Sequence, residues 1–178
     1  MAERTDMNKT CWFAAQTRCG AELVVRRRLE GLGTEIFLPT EEKFRTRGHK
    51  KYERPLIPGI VFVRTTKQQA FFLANEMGVP VRYLTDSATH SLLVVPDKQM
   101  DDFQRILNVS IQEGGLVGRP LSLGDRVRVV KGPLTGVEGH VVEFRGTTYV
   151  VVSILGSLYA RASVPRAWLE LIEKKMVN

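Results

Sequence analysis

The chain is poor in the residues that build metal centres, disulfides and nucleophilic sites. It has two cysteines and three histidines among its 178 residues. Cys11 and Cys19 stand eight apart with no CxxC pair, and no His/Cys cluster has zinc-ligand spacing. If the two cysteines sit near opposite ends of one extended strand, they are too far apart to bridge. Free thiols in a reducing compartment are expected. No apolar run approaches a membrane span, and the first residues lack the apolar core of a secretion signal. A cytoplasmic location without membrane contact follows as the expectation. GxGxxG, Walker, HExxH and nucleophile-elbow patterns are all missing. His49, His90 and His140 are isolated and read as surface or turn residues. No cofactor and no enzymatic activity are expected.

What the chain has is an ordinary globular composition and an excess of base. Apolar residues make up 43% and charged residues 25%, enough for one or two small cores. The net charge is +7, split as +4 over residues 1–107 and +3 over the rest. An anionic partner is therefore favoured, nucleic acid or an acidic protein surface.

The most patterned stretch is Gly124 to Val141, GDRVRVVKGPLTGVEGHV. Arg126-Val127-Arg128-Val129 alternates, so the valines face one side of a sheet and the arginines the other. Gly132-Pro133 marks a turn, and Gly136 and Gly139 follow at close spacing. A second apolar run follows at Val141-Val142, and further strands are expected at 147–155, 158–164 and 167–172. Five short strands in about 50 residues suit a small SH3-like barrel. Upstream, 108–121 is rich in glycine and reads as a linker.

The first half alternates strands and helices. Strands are expected at 11–17, 35–40, 60–63, 81–84 and 92–95. Helices are expected at 21–32, 67–76 and from Pro96-Asp97 onward. Leu23, Val24 and Leu32 form the apolar stripe expected on the first helix. Phe71, Phe72 and Ala74 form that of the second, and Met100, Phe103, Ile106 and Leu107 that of the third. Ile60-Val61-Phe62-Val63 reads as a strand buried on both faces. Between strands, 41–54 carries six basic residues, Lys43, Arg45, Arg47, Lys50, Lys51 and Arg54, interleaved with Phe44 and Tyr52. Gly48-His49 reads as a hairpin tip. A charge run of this kind serves either as an ordinary solvated face or as an arm on nucleic-acid phosphates. The whole reads as α+β, with a lead over 1–10, a first domain over 11–107, the linker over 108–121 and the barrel over 122–175.

Gly124, Asp125, Val127, Val129, Gly132, Pro133, Gly136 and Gly139 resemble the KOW motif. Trp12-Phe13, the Gly20 turn into a helix, Leu38-Pro39-Thr40, Pro58 to Val63 and Gly78-Val79-Pro80 look like the NusG N-terminal (NGN) domain. The joint resemblance, over about residues 12–173, is to NusG-type transcription elongation and antitermination factors. Val94 to Met100 and Ser163 to Glu170 are nearer to specialised paralogs of the RfaH/UpxY kind, which act on capsular polysaccharide operons.

That resemblance implies a factor that binds the clamp helices of RNA polymerase, bridges the cleft and suppresses pausing or termination. By position it implies polymerase contacts at Phe13, Gln16, Ile57, Ile60 and Phe62. Core packing is the competing role for all five. Gln16 and Ile60 depart from the aromatics several relatives carry there. Nucleic-acid contacts are implied at Arg18, Arg26, Arg27, Lys43, Arg45, Arg47, Lys50 and Lys51. Arg18 and Arg26 would face non-template DNA. In the second domain, Ile154, Leu155 and Gly156 would take a small-subunit ribosomal protein (NusE) or Rho, with a buried strand end as the alternative. A monomer is expected. The rival reading is a ribosome-associated or RNA-binding KOW protein that never meets polymerase.

Overall fold

A computed structural model describes residues 8–44, 51–86, 89–110, 116–117 and 123–175. The chain divides into two compact units, 1–97 and 98–178.

The first unit is built on β1 (Cys11–Gln16) and β5 (Ile60–Thr65), paired antiparallel over their full lengths. β2 (Glu35–Phe37) adds to the far edge of β5, and β6 (Arg82–Tyr83) and β7 (Val94–Val95) add to β1. β3 (Thr40–Phe44) and β4 (Lys51–Pro55) make a separate two-stranded ribbon. Val61, Phe62 and Val63 are fully buried, as a continuous apolar run in a central strand requires.

Two helices carry the core on one face of this sheet. In α1 (Glu22–Gly31) the buried positions are Glu22, Val25 and Leu29. The expected stripe was displaced. Val24 and Leu32 are exposed, and Leu23 packs at the margin of the core. The spacing of three and four from Glu22 to Leu29 defines the sheet-facing side, and Val24 lies one residue off it. α2 (Lys67–Asn75) starts at Thr66, whose hydroxyl accepts from the Gln69 amide at 3.1 Å. Its buried residues are Ala70 and Leu73, not the expected phenylalanines. Phe71 and Phe72 are about half exposed. Once Ala70 and Leu73 face the sheet, the residues between them are carried round the helix to the flanks. The shared core joins Phe13, Ala15, Val25, Leu29, Val61, Val63, Ala70, Leu73 and Tyr83.

The second unit begins in α3 (Asp97–Ser110), whose Met100, Phe103, Ile106 and Leu107 are buried as their spacing implies. The unit's sheet is entirely antiparallel. It contains β8 (Leu116–Val117), β9 (Arg126–Val129), β10 (Glu138–Phe144), β11 (Thr147–Ile154), β12 (Leu158–Ser163) and β13 (Leu169–Glu173). Their spatial order is β13-β9-β10-β11-β12-β8. Val127 and Val129 are buried and Arg126 and Arg128 exposed, so the alternation reads true. Gly132 has φ +80°, and a Cβ built on it would collide with the Trp168 indole. Gly139 lies against β11, where a Cβ would stand 2.5 Å from the Val151 carbonyl oxygen. Only glycine fits either place.

The α+β class holds, with a helix-backed antiparallel sheet followed by a small SH3-like β module. The division between the units falls at 97/98, ten residues before the expected boundary. The reason lies in α3, whose polar side bonds to the β module. Lys98 Nζ donates to the Gly136 carbonyl (2.8 Å) and Gln99 Nε2 to that of Ser153 (2.6 Å). Arg105 donates to the carbonyls of Pro133 and Thr135, and the Glu138 amide donates to Asp102. The expected linker contains the end of α3 and the strand β8, which pairs with β12. Its other residues, 111–115 and 118–121, lie outside the described residues, as do 1–7 of the expected lead and the Gly48-His49 tip.

Candidate functional site

The strand register sorts the five apolar candidates. Gln16 pairs with Ile60 and Ala14 with Phe62, so Gln16, Ile60 and Phe62 share one face of the sheet. Phe13 is one residue off this row and points to the opposite face. There it lies in the core with α1 and α2, edge-on to Tyr83 at 6.2 Å. Phe62 is fully buried and tilted against Phe37, and Ile57 is buried ahead of the Pro58-Gly59 turn. Gln16 is exposed and Ile60 half-buried. Arg82, paired with Gln16 in the register, donates to its side-chain oxygen at 3.4 Å. The solvent-facing part of the patch is thus Gln16 and Ile60 beside Arg82.

The Pro58-Gly59 turn next to Ile60 is fixed from α1. Glu22 is buried, and its carboxylate accepts from the Gly59 amide at 2.6 Å. The Gly59 carbonyl in turn accepts from Thr17 N at 2.9 Å. These bonds hold the ends of β1 and β5, where Gln16 and Ile60 sit.

The basic candidates divide by their partners. Arg18 is exposed at the turn into α1, and Arg27 is exposed on α1 with its Nε on the Leu23 carbonyl. Arg26 is not a free cation. Its guanidinium grips both carboxylate oxygens of Glu53 on β4, each at 2.6 Å, and Thr40 on β3 donates to the same carboxylate. The Arg26 contact, backed by Thr40, pulls Glu53 down to about 2, and Arg26 itself is raised by Glu53. The result is a strut that ties the β3–β4 ribbon to α1.

On the ribbon, Lys43 pairs with Glu41 and Lys51 with Glu42, each at 3.0 Å. The described strands carry three bases, Lys43, Lys51 and Arg54, against three acids, Glu41, Glu42 and Glu53. They are therefore balanced in charge. Arg45, Arg47 and Lys50, which carry the excess, lie outside the described residues.

In the second unit, Ile154 is fully buried and pairs with Leu158. Leu155 is half-buried at φ +56° and Gly156 exposed at φ +65°, forming the tip of the β11–β12 turn. Leu155 alone presents an apolar side chain there, and Tyr159 braces the tip by donating to the Gly156 carbonyl at 3.0 Å. A left-handed leucine is uncommon and costs about 1 kcal/mol, so the turn holds that side chain out against local preference.

A family model described as "Transcription termination factor nusG" matches residues 10–104, just over half of the chain. The chain belongs to the NusG family. The curated "Transcription termination/antitermination protein NusG" of Thermus thermophilus is 32% identical over 171 residues, covering 82% of this chain and 90% of that protein. A solved structure described as "Domain interaction in Thermotoga maritima NusG" aligns over 93% of this chain and 98% of its own, at 21% identity and TM-score 0.48, too distant to decide the fold.

Two features of this NusG-family chain were not anticipated from its sequence. The first is the Arg26–Glu53 strut, which joins residues 27 apart. The second is a surface cluster in the second unit made of Phe144, Arg145, Tyr149 and Arg161. Its only local signal was the Arg145-Gly146 pair between two alternating runs, a two-residue hairpin turn. Among the histidines, His140 Nδ1 lies 3.2 Å from the Gly124 carbonyl, and His90 closes a turn on Asp86. No group of three or more potential metal ligands occurs among the described residues. No helix among them is long and apolar enough to cross a membrane.

Proposed function

We propose that this protein binds RNA polymerase through its first unit, an NGN domain, and keeps the clamp closed, suppressing pausing or termination. Its second unit is a KOW domain that recruits a small-subunit ribosomal protein or Rho. The observation that carries this reading is the extent of the family likeness. The Thermus relative covers 82% of the chain, and so more than either unit alone. The targets fit the specialised kind, operons such as those for capsular polysaccharide, with the protein at work in the cytoplasm.

The polymerase contact centres on Gln16 and Ile60, the solvent-facing members of one sheet face, with Phe62 beneath them. Phe13 and Ile57 support the patch from inside. Arg18, exposed at the turn into α1, and Arg27, exposed midway along α1, reach toward non-template DNA, most simply at its phosphates. Arg26 positions the ribbon. No bond is made or broken. The factor acts only through preferential affinity for the closed state, and a tenfold shift in that equilibrium needs about 1.4 kcal/mol of difference.

The test is transcription in vitro across a leader template with a mapped pause. The native chain shortens the pause, and Ile60→Asp, on a half-exposed residue, loses that effect while melting as the native chain does. A folded and fully active Ile60→Asp variant places the contact elsewhere. Recovery of ribosomes without polymerase in a pull-down overturns the reading.

A further inference from the structure

The second unit carries a surface feature that neither the polymerase contact nor the Leu155 turn uses. Phe144 is the last residue of β10 and is 49% exposed. Phe144 pairs with Thr147 and Val142 with Tyr149, while Val151 pairs with Arg161 on β12. Phe144, Tyr149 and Arg161 are therefore diagonal neighbours on one face of three adjacent strands. The Arg161 guanidinium lies 4.4 Å from the Tyr149 ring centroid and 5.9 Å from that of Phe144. A second guanidinium, from Arg145, lies 5.1 Å from the Phe144 ring.

Two further observations bear on what this cluster binds. Neither Arg145 nor Arg161 has a carboxylate partner among the described residues. The neighbouring Glu143 is taken by Arg166 at 2.9 Å. The cluster is therefore positively charged as well as aromatic. In addition, Arg145 and Gly146 make the β10–β11 turn with φ +50° and +77°. Such two-residue turns favour asparagine, aspartate or glycine at the first position. Arginine is uncommon at such a position and stays there at a cost in local strain.

We propose that Phe144, Tyr149 and Arg161 form a stacking site for an unpaired base of a single-stranded nucleic acid, with Arg145 meeting the adjoining phosphate. Planar guanidinium groups and exposed aromatic rings are the surfaces on which unpaired bases stack. An apolar peptide would leave two guanidinium groups facing it without a partner. An acidic peptide would pair the charges and leave the exposed Phe144 ring idle. A nucleotide uses both, its base on the ring and guanidinium planes and its phosphate on the free cation. Tyr149 and Ile154 are five residues apart on β11, roughly 17 Å along the strand, so the stack and the Leu155 turn can be engaged together. The site thus gives the KOW-like unit a nucleic-acid contact of its own, independent of whether the first unit binds polymerase.

The test uses the full chain and labelled ten-nucleotide strands of RNA and of DNA, each with a central 2-aminopurine, read by fluorescence anisotropy and by 2-aminopurine quenching. Phe144→Leu keeps an apolar side chain and removes the ring face. Arg161→Gln removes the sandwiched cation. Lys131→Gln removes an exposed charge outside the cluster. Both cluster variants are expected to weaken binding by roughly 5- to 150-fold and to lose the quenching. Lys131→Gln should change affinity by less than about threefold, as the loss of one non-specific phosphate contact would. All three variants should melt as the native chain does, and Phe144→Leu is mild enough for this to hold. Equal binding of RNA and DNA supports stacking alone, and preference for one strand supports stacking with that strand as the ligand. Native affinity in both cluster variants overturns the proposal. So does a loss in Lys131→Gln equal to theirs, a preference for duplex, or tighter binding of poly-glutamate than of either strand.

Discussion

The Arg26–Glu53 contact decides between two roles for an arginine, and it sets a measurable quantity. Glu53 stands at about 2 instead of the ordinary 4.5, chiefly because Arg26 donates to it. Taken at face value, a pKa difference of about 2.5 equals about 3.4 kcal/mol. The side chains are 24% and 35% exposed, so solvent screens the pair. A coupling of about 1 kcal/mol is expected. Because the folded carboxylate is depressed, its stabilisation is complete above pH 4.5 and is lost as pH falls toward 2. The assay is a double-mutant cycle of native, Arg26→Ala, Glu53→Gln and the double variant, by urea denaturation at pH 7 and pH 3.5. The coupling should be about 1 kcal/mol at pH 7 and clearly smaller at pH 3.5. A coupling indistinguishable from zero at pH 7, or one unchanged at pH 3.5, refutes the strut. Binding of single-stranded DNA supplies the second readout. A strut makes both single variants act in the same direction, because each releases the ribbon. A phosphate contact at Arg26 makes them act oppositely, because Glu53→Gln frees the guanidinium.

Gly132→Ala combines a left-handed backbone with a collision against Trp168, and should lower stability by about 2–4 kcal/mol, read from the urea midpoint; a loss under about 0.5 kcal/mol would refute both the backbone cost and the collision. Tyr83→Phe should be neutral or stabilising by up to about 1 kcal/mol, because the buried hydroxyl has no hydrogen-bond partner among the described residues. Burial pushes Tyr83 up to about 12, so the native chain should lose stability as pH rises from 10 toward 12, and the phenylalanine variant should lack that part of the loss in thermal melts. Leu155→Asp should abolish capture of the ribosomal protein or Rho in a pull-down while leaving pause shortening by the first unit intact.

Much of the fold was readable along the chain because its signals are local. The alternation of Arg126 to Val129, the apolar run Ile60 to Val63 and the face of Met100 to Leu107 each carry their burial in their spacing. The helix stripes of the first unit were read less well. In α1 and α2 the apolar residues outnumber the places facing the sheet. Which of them is buried depends on the helix's rotation against its neighbours. Val25 and Leu29 took the core and Val24 did not, while Ala70 and Leu73 displaced two larger phenylalanines.

The candidate site divides in the same way. The basic and apolar residue types of the candidate site were visible in the sequence, and so was the family. The side each residue faces was not. One step along β1 separates Gln16, on the solvent-facing patch, from Ala15 in the core, and Phe13 follows Ala15 inward. Arg26 looked like any other cation of α1 until β4 brought Glu53 against it.

The sequence by itself determined the two-module plan, most of the strands, and the excess of base, since these rest on periodicity, glycine placement and composition. Only the tertiary structure decided which cations are neutralised, which apolar side chains are spent on the core, and which aromatics and arginines meet on the surface. Those outcomes depend on pairing between residues tens of positions apart. Arg26 meets Glu53, Glu22 meets Gly59, and Arg161 meets Phe144, and no local pattern records any of the three.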